Sequence, residues 1–134
     1  MKVRAWLFVV ALFGLVSAPA HAGTYLDRAV LLLKQATEEA DYLRARIANR
    51  ELAEVVHKLA VARLDAARDM PVPSEVTQAH PHLLLVLENY ERAANEAAGG
   101  RVARFISFQS RARDEEQIFR GILKQLGWPL PPRR

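Results

Sequence analysis

The chain has 134 residues, of which 51% are hydrophobic, 25% charged and 7% aromatic, a composition typical of one soluble globular domain. It contains no cysteine, which excludes disulfides, thiolate metal ligands, a lipoprotein anchor, covalently attached haem and a cysteine nucleophile. The formal net charge is +4 at pH 7, from 19 basic and 15 acidic residues.

The first 22 residues have the features of a secretory signal peptide. Lys2 and Arg4 precede an unbroken apolar stretch over residues 5–16, and Ala20-His21-Ala22 has the small residues that signal peptidase requires. The apolar stretch holds about 12 residues, whereas a membrane span needs about 20. We therefore favour cleavage after Ala22 over the alternative of an uncleaved anchor. We expect a periplasmic or secreted protein with no stable membrane insertion after cleavage.

This cleavage divides the chain into a signal peptide over residues 1–22, a single domain over residues 23–128 and a Pro/Arg tail over residues 129–134. Cleavage of the signal peptide removes Lys2 and Arg4 but no acidic residue, so it lowers the formal net charge from +4 to +2. A phosphate backbone requires basic residues clustered on one face, which a nearly neutral chain does not provide. We expect no nucleic-acid partner.

The first part of the domain predicts helix. Glycine and proline are nearly missing over residues 24–69, where Ala, Leu, Glu, Arg and Val predominate, and no strand-like alternation occurs anywhere. Thr24 is the expected N-cap of the first helix, with Asp27 three residues later as a carboxylate variant of the capping box. The apolar stripe of this helix is Leu26, Val30, Leu33, Ala40, Leu43 and Ile47.

The stripe loses register at Ala48-Asn49-Arg50, which predicts a tight turn near Asn49 and a second helix. The alternative is one helix to Asp69, which at 1.5 Å per residue would be about 67 Å long, too long for a compact domain of this size. The second helix has its own apolar stripe: Leu52, Val55, Val56, Leu59, Ala62 and Ala66.

Two further helices follow a proline-rich link. Met70-Pro71-Val72-Pro73-Ser74 ends the second helix, and the stretch to Pro81 is a loop, with or without one helical turn after Ser74. In the third helix we expect His80 as N-cap and Pro81 at the first helical position. Its buried residues are Leu83, Leu84, Leu87, Tyr90 and Ala94.

Gly99-Gly100 stops the third helix, and the fourth helix ends at Gly127 and Pro129. The apolar face of the fourth helix is Val102, Phe105, Phe108, Ala112, Phe119, Ile122, Leu123 and Leu126. Four amphipathic helices with two short turns and one longer link predict an all-α fold, an antiparallel up-down-up-down four-helix bundle. Beyond them we expect a short extended tail, to which we assign no function.

Two stretches of this sequence resemble the soluble periplasmic b-type cytochromes, which are exported four-helix bundles. ANRELAEVVHKLAVARLDAARDMPVP, residues 48–73, is similar to that family's first turn, second helix and Pro-rich exit. ANEAAGGRV, residues 94–102, is similar to its turn between helices three and four. The resemblance implies the same fold and the same compartment.

The haem ligands of that family are not matched. The resemblance puts its axial methionine near residues 33–35 and its axial histidine near Phe119 or Arg120, and none of these residues is a usual axial ligand. The likeness therefore implies fold and compartment but argues against electron transfer through the same site.

Glu54 and His57 are a candidate metal half-site. A carboxylate and an imidazole one turn apart on a helix have the spacing that di-iron carboxylate bundles use twice. No other Glu is followed by His three residues later. The structural interpretation is stronger: Glu54 can pair with Arg50 and Lys58, and His57 is a partly buried polar residue.

His80 and His82 are a second candidate, because two imidazoles flanking a proline could bind copper, nickel or zinc. His57 is too far along the second helix, about 18 Å, to complete this site. The alternative is that His80 caps the helix and His82 is an exposed residue of its first turn.

Glu115 and Glu116 interrupt the apolar face of the fourth helix. A half-buried carboxylate there needs a partner, and Arg111 and Arg120 lie four residues away on either side. We therefore favour surface ion pairs over an acid–base dyad for these two carboxylates.

The sequence lacks a serine elbow and a phosphate-binding glycine loop, and Ser107 and Ser110 have no activating base nearby in sequence. We expect no enzyme activity. The first hypothesis is a non-catalytic exported bundle that binds an envelope protein or a small ligand, or has a structural role in the envelope, without a cofactor. The alternative is a metal- or haem-associated bundle that uses Glu54 with His57, or His80 with His82.

Overall fold

The fold is known from a computed structural model, which describes residues 21–132. These residues form four α-helices and no strand, which confirms the all-α prediction. The helices are α1 (Ala22–Arg44), α2 (Arg50–Asp69), α3 (His80–Ala98) and α4 (Val102–Gln125), and a 3-10 helix (Ser74–Val76) lies between α2 and α3. Because α3 contacts all three other helices, the packing is consistent with a bundle.

The predicted signal peptide lies outside the described residues, apart from His21 and Ala22, as do the last two residues of the predicted tail. Within residues 21–132, none of the helices combines the length and the apolar character that crossing a membrane requires.

The turn between α1 and α2 confirms the predicted hairpin, and a single helix to Asp69 is wrong. Asn49 is the N-cap of α2, and its side-chain oxygen accepts a hydrogen bond from the Leu52 N–H at 3.0 Å. An asparagine in this position satisfies one of the donors that a helix start leaves without a partner. The turn is therefore encoded locally.

The N-caps predicted for α1 and α3, Thr24 and His80, are wrong by three residues and one residue. Thr24 lies inside the first turn of α1, which begins at Ala22, and the Tyr25 N–H donates to the His21 carbonyl at 3.2 Å. His80 is the first residue of α3, because Ala79, which is fully buried, already has helical backbone angles and serves as the N-cap.

The core consists of two clusters of buried side chains. The larger contains Tyr25 and Leu33 of α1, Leu83 and Leu87 of α3, and Phe119 of α4, among others. The smaller lies where α1 meets α2 and α3 meets α4 and is built largely of alanine around Phe105. Tyr90 is buried, as predicted, while Leu84 is only half-buried.

The predicted buried face of α2 is mostly wrong. Of the predicted stripe only Val56 is buried; Leu52 is half-buried, and Val55, Leu59, Ala62 and Ala66 are exposed. The face that packs inward is Ala53, Val56, Ala60, Arg63, Leu64 and Ala67. Alanines let neighbouring helices approach closely, so this face packs inward although the larger aliphatic side chains lie one residue away.

The apolar stripes of α1 and α4 are shifted or interrupted relative to the prediction. In α1, Tyr25, Ala29 and Ala36 are buried, whereas the expected Leu26, Val30 and Ile47 are half-buried. In α4 the expected Phe105, Ala112, Phe119 and Leu123 are buried, Phe108, Ile122 and Leu126 are half-buried, and Val102 is exposed. Gln109 and Glu116 complete the buried face of α4 at helical spacing.

The ends of α3 and α4 share one motif built on glycine. Gly100 and Gly127 have φ angles of 75° and 87°, in the left-handed region that glycine adopts without strain. After α3 the Arg101 N–H donates to the Glu96 carbonyl, and after α4 the Trp128 N–H donates to the Leu123 carbonyl. These are the bonds of the Schellman motif, which reverses the direction of the chain.

Candidate functional site

The reversal at Gly127 directs the C-terminal tail back along α4. The Arg120 guanidinium donates from Nη1 to the Pro131 carbonyl at 2.8 Å, and the Leu130 side chain is half-buried against the larger core cluster. The tail was expected to be a short extended segment without a role. In the structure it becomes one edge of a cavity.

The cavity lies between α1, α4 and this tail and has a volume of about 400 Å³. Its lining residues are Val30, Leu33, Lys34, Thr37 and Glu38 of α1, Glu116 and Arg120 of α4, and Pro131 and Pro132 of the tail. Four aliphatic or proline side chains and five polar or charged ones therefore share the lining, and ligand sites likewise combine apolar surface with polar groups that orient the ligand.

Glu116 and Arg120 form the polar centre of the cavity. Glu116 is 2% exposed, and its carboxylate accepts a hydrogen bond from Arg120 Nε at 2.8 Å. The sequence suggested a surface ion pair, but the carboxylate is buried because residue 116 falls between Ala112 and Phe119 on the buried face of α4. A carboxylate beside a guanidinium presents both hydrogen-bond acceptors and donors.

Three further polar side chains, Lys34, Thr37 and Glu38, belong to the wall that α1 contributes. Thr37 Oγ1 lies 3.3 Å from the Tyr90 hydroxyl of α3. Lys34 and Glu38 form an exposed ion pair with 3.8 Å between Nζ and Oε1. The charges at the cavity are thus two basic and two acidic groups.

A polar network follows the same contact between α1 and α4 towards the end of α1. Gln109 is 1% exposed; its amide nitrogen donates to the Asp41 carboxylate at 3.0 Å, and its oxygen accepts from Arg44 at 3.4 Å. Arg113 also donates to Asp41 at 3.0 Å. The network occupies the polar groups of a buried glutamine, so it has a structural role.

His57 does not share a site with Glu54. The His57 Nε2 atom lies 2.7 Å from Glu91 Oε1 on α3, while Glu54 is exposed and forms no ion pair within residues 21–132. The two residues of the predicted half-site thus have different surroundings. The expected pairing of Glu54 with Arg50 or Lys58 is also not formed.

His80 and His82 contact different helices. His82 Nδ1 lies 3.2 Å from Glu115 Oε2 of α4, so Glu115 has an imidazole partner and not Arg111. His80 Nδ1 lies 2.9 Å from the Tyr25 hydroxyl of α1. Arg111 instead stacks over the Phe108 ring at 5.2 Å.

Burial shifts the pKa values of the pair formed by Tyr25 and His80. Burial raises the pKa of the Tyr25 hydroxyl, which therefore stays protonated and can donate to the imidazole. Burial lowers the pKa of His80, and a hydrogen bond to the backbone of Ala67 partly offsets that shift. The pair thus connects α1 and α3 with the end of α2.

Across residues 21–132 the structure brings no three His, Asp or Glu side chains together in a geometry that could hold a metal ion. Metal binding through Glu54, His57, His80 or His82 stays a prediction that the structure leaves without a complete ligand set. Ser107 and Ser110 are exposed on α4.

Sequence reasoning missed the cavity itself, the buried Gln109 and the histidine partner Glu91. Gln109 lies four residues after Phe105 and three before Ala112, so helical spacing alone could have indicated its burial. No local signal predicts the contact between Arg120 and Pro131, because it depends on the path of the tail after Gly127.

The chain was compared with protein-family models, with curated proteins and with solved structures, and none of them matches it.

Proposed function

We propose that this chain is an exported, non-catalytic helical-bundle protein that binds a small molecule in the cavity between α1, α4 and the tail. The observation that carries the proposal is the buried Glu116–Arg120 pair on the lining of this cavity. The cavity has a volume of about 400 Å³, which falls within the range of about 300–1,000 Å³ typical of ligand sites.

A purely structural role explains this pair less well. A buried ion pair adds little stability relative to apolar side chains of similar size, because both charges must leave water. At the edge of a cavity, however, the same pair can exchange hydrogen bonds with a ligand. The ligand that fits is amphipathic, with an apolar body against Val30, Leu33 and Pro131 and a polar head at Glu116 and Arg120.

The contacts support an antiparallel up-down-up-down arrangement. Asp41 near the end of α1 contacts Gln109 near the start of α4, whereas Lys34, earlier in α1, shares the cavity with Arg120 near the end of α4. His82 at the start of α3 contacts Glu115 well along α4. These contacts support opposite directions for neighbouring helices.

Contacts of α1 with α2 and α3 support the same arrangement. Arg28, early in α1, lines a groove together with Asp69, the last residue of α2. The contact of Tyr25 with His80 is near the start of both α1 and α3. In an up-down-up-down bundle the first and third helices run in the same direction.

Export is proposed from the leader alone. The basic start, apolar stretch and small residues before Gly23 are typical of a signal peptide. Removal of residues 1–22 would leave α1 nearly whole, because α1 begins at Ala22.

The cavity can be tested with an amphipathic fluorescent probe, anilinonaphthalene sulfonate, and a matched pair of substitutions. Val30→Trp fills the cavity, whereas Val61→Trp adds the same side chain on the exposed surface of α2. We expect saturable probe binding that Val30→Trp abolishes and Val61→Trp preserves. Equal binding by both variants would place the probe elsewhere and contradict the proposal.

The alternative function, a metal- or haem-associated bundle, has one observation in its favour. The cavity is lined by Leu33, Lys34 and Arg120, which the cytochrome resemblance places at the haem ligand positions. These residues do not fit axial ligation, and His57, His80 and His82 are not among the lining residues. A Soret band or stoichiometric metal in the purified protein, lost in His57→Ala or His82→Ala, would establish this alternative and refute a cofactor-free binding role.

A further inference from the structure

The outer face of α2 carries a continuous apolar stripe that the bundle does not cover. Val55 is 55% exposed and Leu59 is 46% exposed, Ala62 and Ala66 are exposed, and Leu52 is half-buried. These five residues are the outer stripe. Single exposed aliphatic residues are ordinary on a protein surface, but a contiguous row of them marks an interaction site.

The spacing of the outer stripe is that of a coiled-coil seam. Steps of three, four, three and four residues separate its members, so Leu52, Leu59 and Ala66 take heptad position a and Val55 and Ala62 take position d. The stripe is about 21 Å long at 1.5 Å per residue. Its natural complement is a second helix that lies along α2.

The stripe continues into a groove towards α1. Ala66 and Met70 line this groove of about 310 Å³ together with Leu31 and Leu32 of α1. Arg28 and Asp69 add one basic and one acidic side chain to its lining. Leu31 is 54% exposed. A helix lying on α2 could therefore place side chains into the groove.

The edge of the outer stripe is predominantly acidic. Glu51, Glu54, Asp65 and Asp69 are exposed along it, with Lys58 as the basic residue among them. Glu51, Glu54 and Asp69 form no ion pair with any other residue in the described part of the chain, and Asp65 pairs only with exposed Arg68 at 3.6 Å. These carboxylates favour basic residues on whatever covers the stripe.

A second copy of the same face does not satisfy this charge pattern. A twofold axis near Leu59 with antiparallel helices would bring Glu51 of one copy towards Asp65 of the other. Parallel helices would bring Lys58, at position g of one copy, towards Arg63, at position e of the other. Both arrangements juxtapose like charges, which is destabilising.

We propose that the outer stripe of α2 docks an amphipathic helix of a partner protein, with apolar residues at heptad spacing and Lys or Arg along its flanks. This interaction is independent of the cavity, because the stripe and its groove share no residue with the cavity lining. The helix is recognised by apolar packing along the stripe and by charge along the edge.

The test uses two dye-labelled synthetic heptad-repeat helices with leucine at positions a and d. One carries lysine and the other glutamate at the flanking positions e and g. The protein is expressed with its own leader and purified in the form that the cell yields, and binding is measured by fluorescence anisotropy. The formal net charge is +4 with residues 1–22 and +2 without them, so non-specific attraction would favour the glutamate helix for either form, whereas the proposal predicts preference for the lysine helix.

Matched variants locate the binding site. Leu59→Gln should weaken binding of the lysine helix by about tenfold or more, whereas Ile118→Gln, a comparably exposed site on α4, should leave it unchanged. Combined Glu51→Gln and Asp65→Gln should reduce the preference for lysine over glutamate. Circular dichroism melts of the variants confirm that each one folds.

Three results would overturn the proposal. The first is equal binding of the two helices, and the second is unchanged binding by Leu59→Gln. The third is a dimer of the protein, seen by sedimentation, that Leu59→Gln dissociates, because a second copy would then be the occupant of the stripe.

Discussion

The buried apolar side chains of α2 are smaller than those of α4. The buried face of α4 contains two phenylalanines and two polar residues, Gln109 and Glu116, whereas three of the six buried residues of α2 are alanines and none is aromatic. Val55, Leu59 and Val61 of α2 are exposed, while Val56 and Leu64 pack inward. The difference shows that a face with small side chains, such as Ala53, Ala60 and Ala67, can pack inward in this fold while larger aliphatic side chains of the same helix stay exposed.

Two leucines of α2 allow this comparison to be tested on one helix. Leu64 is 5% exposed on the inner face, and Leu59 lies on the outer stripe. We expect Leu64→Ala to lower the free energy of unfolding by about 3 kcal/mol, because it removes buried volume. Leu59→Ala should change it by less than about 0.5 kcal/mol.

Urea denaturation of both variants measures this pair of effects. A large loss for Leu59→Ala would mean that the outer stripe is covered in the native protein, and the contrast between the two faces would be wrong. Similar slopes of unfolding free energy against urea would show that both variants unfold from the same native state.

On α4 the buried polar residue to test is Glu116, whose partner is Arg120. Arg120→Ala removes the guanidinium that donates to Glu116 and to the Pro131 carbonyl. We expect a loss of about 2 kcal/mol, below the usual cost of breaking a fully buried pair because Arg120 itself is partly exposed.

Arg92→Ala is the matched control, since Arg92 is exposed on α3 and forms no ion pair with the described residues. It should change stability by less than about 0.5 kcal/mol. Arg120→Ala should also accelerate proteolysis of the tail, because it removes the tail's hydrogen bond to α4. An unchanged tail and an unchanged stability would show that the pair is not structurally coupled to the tail.

The same contrast explains how far the sequence could predict the fold. In α4 one apolar stripe is present, so helical spacing identified Phe105, Phe119 and Leu123 correctly. In α2 two apolar stripes lie one residue apart, and periodicity cannot distinguish the inner from the outer one. The N-cap at Asn49 was predictable because its hydrogen bond is local.

The candidate site was less predictable because its parts come together only in the folded chain. The position of Glu116 on the buried face was visible from its spacing, but its burial in a cavity wall depends on α1 lying beside α4 and on the tail. The three candidate histidines were visible as residues, whereas their partners Tyr25, Glu91 and Glu115 belong to other helices.

The smallest expected effect concerns pH and the alanine face of α2. The His80 imidazole reaches the backbone of Ala67, which lies in the last turn of α2, where carbonyl groups have no partner within the helix. Burial lowers the pKa of His80 below its ordinary value of about 6.5. As the pH falls below about 6.5, the imidazole of residue 80 therefore takes up a proton more readily in the unfolded chain than in the folded chain. The free energy of unfolding declines until the imidazole of the folded chain is also protonated.

His80→Gln keeps a hydrogen-bonding side chain but cannot titrate. We expect its unfolding free energy to decline less than that of the original protein as the pH falls from about 7 to about 5. His82→Gln is the control for the loss of an imidazole from α3, because His82 lies against Glu115 of α4 and not against Tyr25 or Ala67. An identical decline in the original protein and in His80→Gln would show that the contact of His80 with Tyr25 and Ala67 does not select the neutral imidazole. The decline would then have to originate elsewhere than in this contact between α1, α2 and α3.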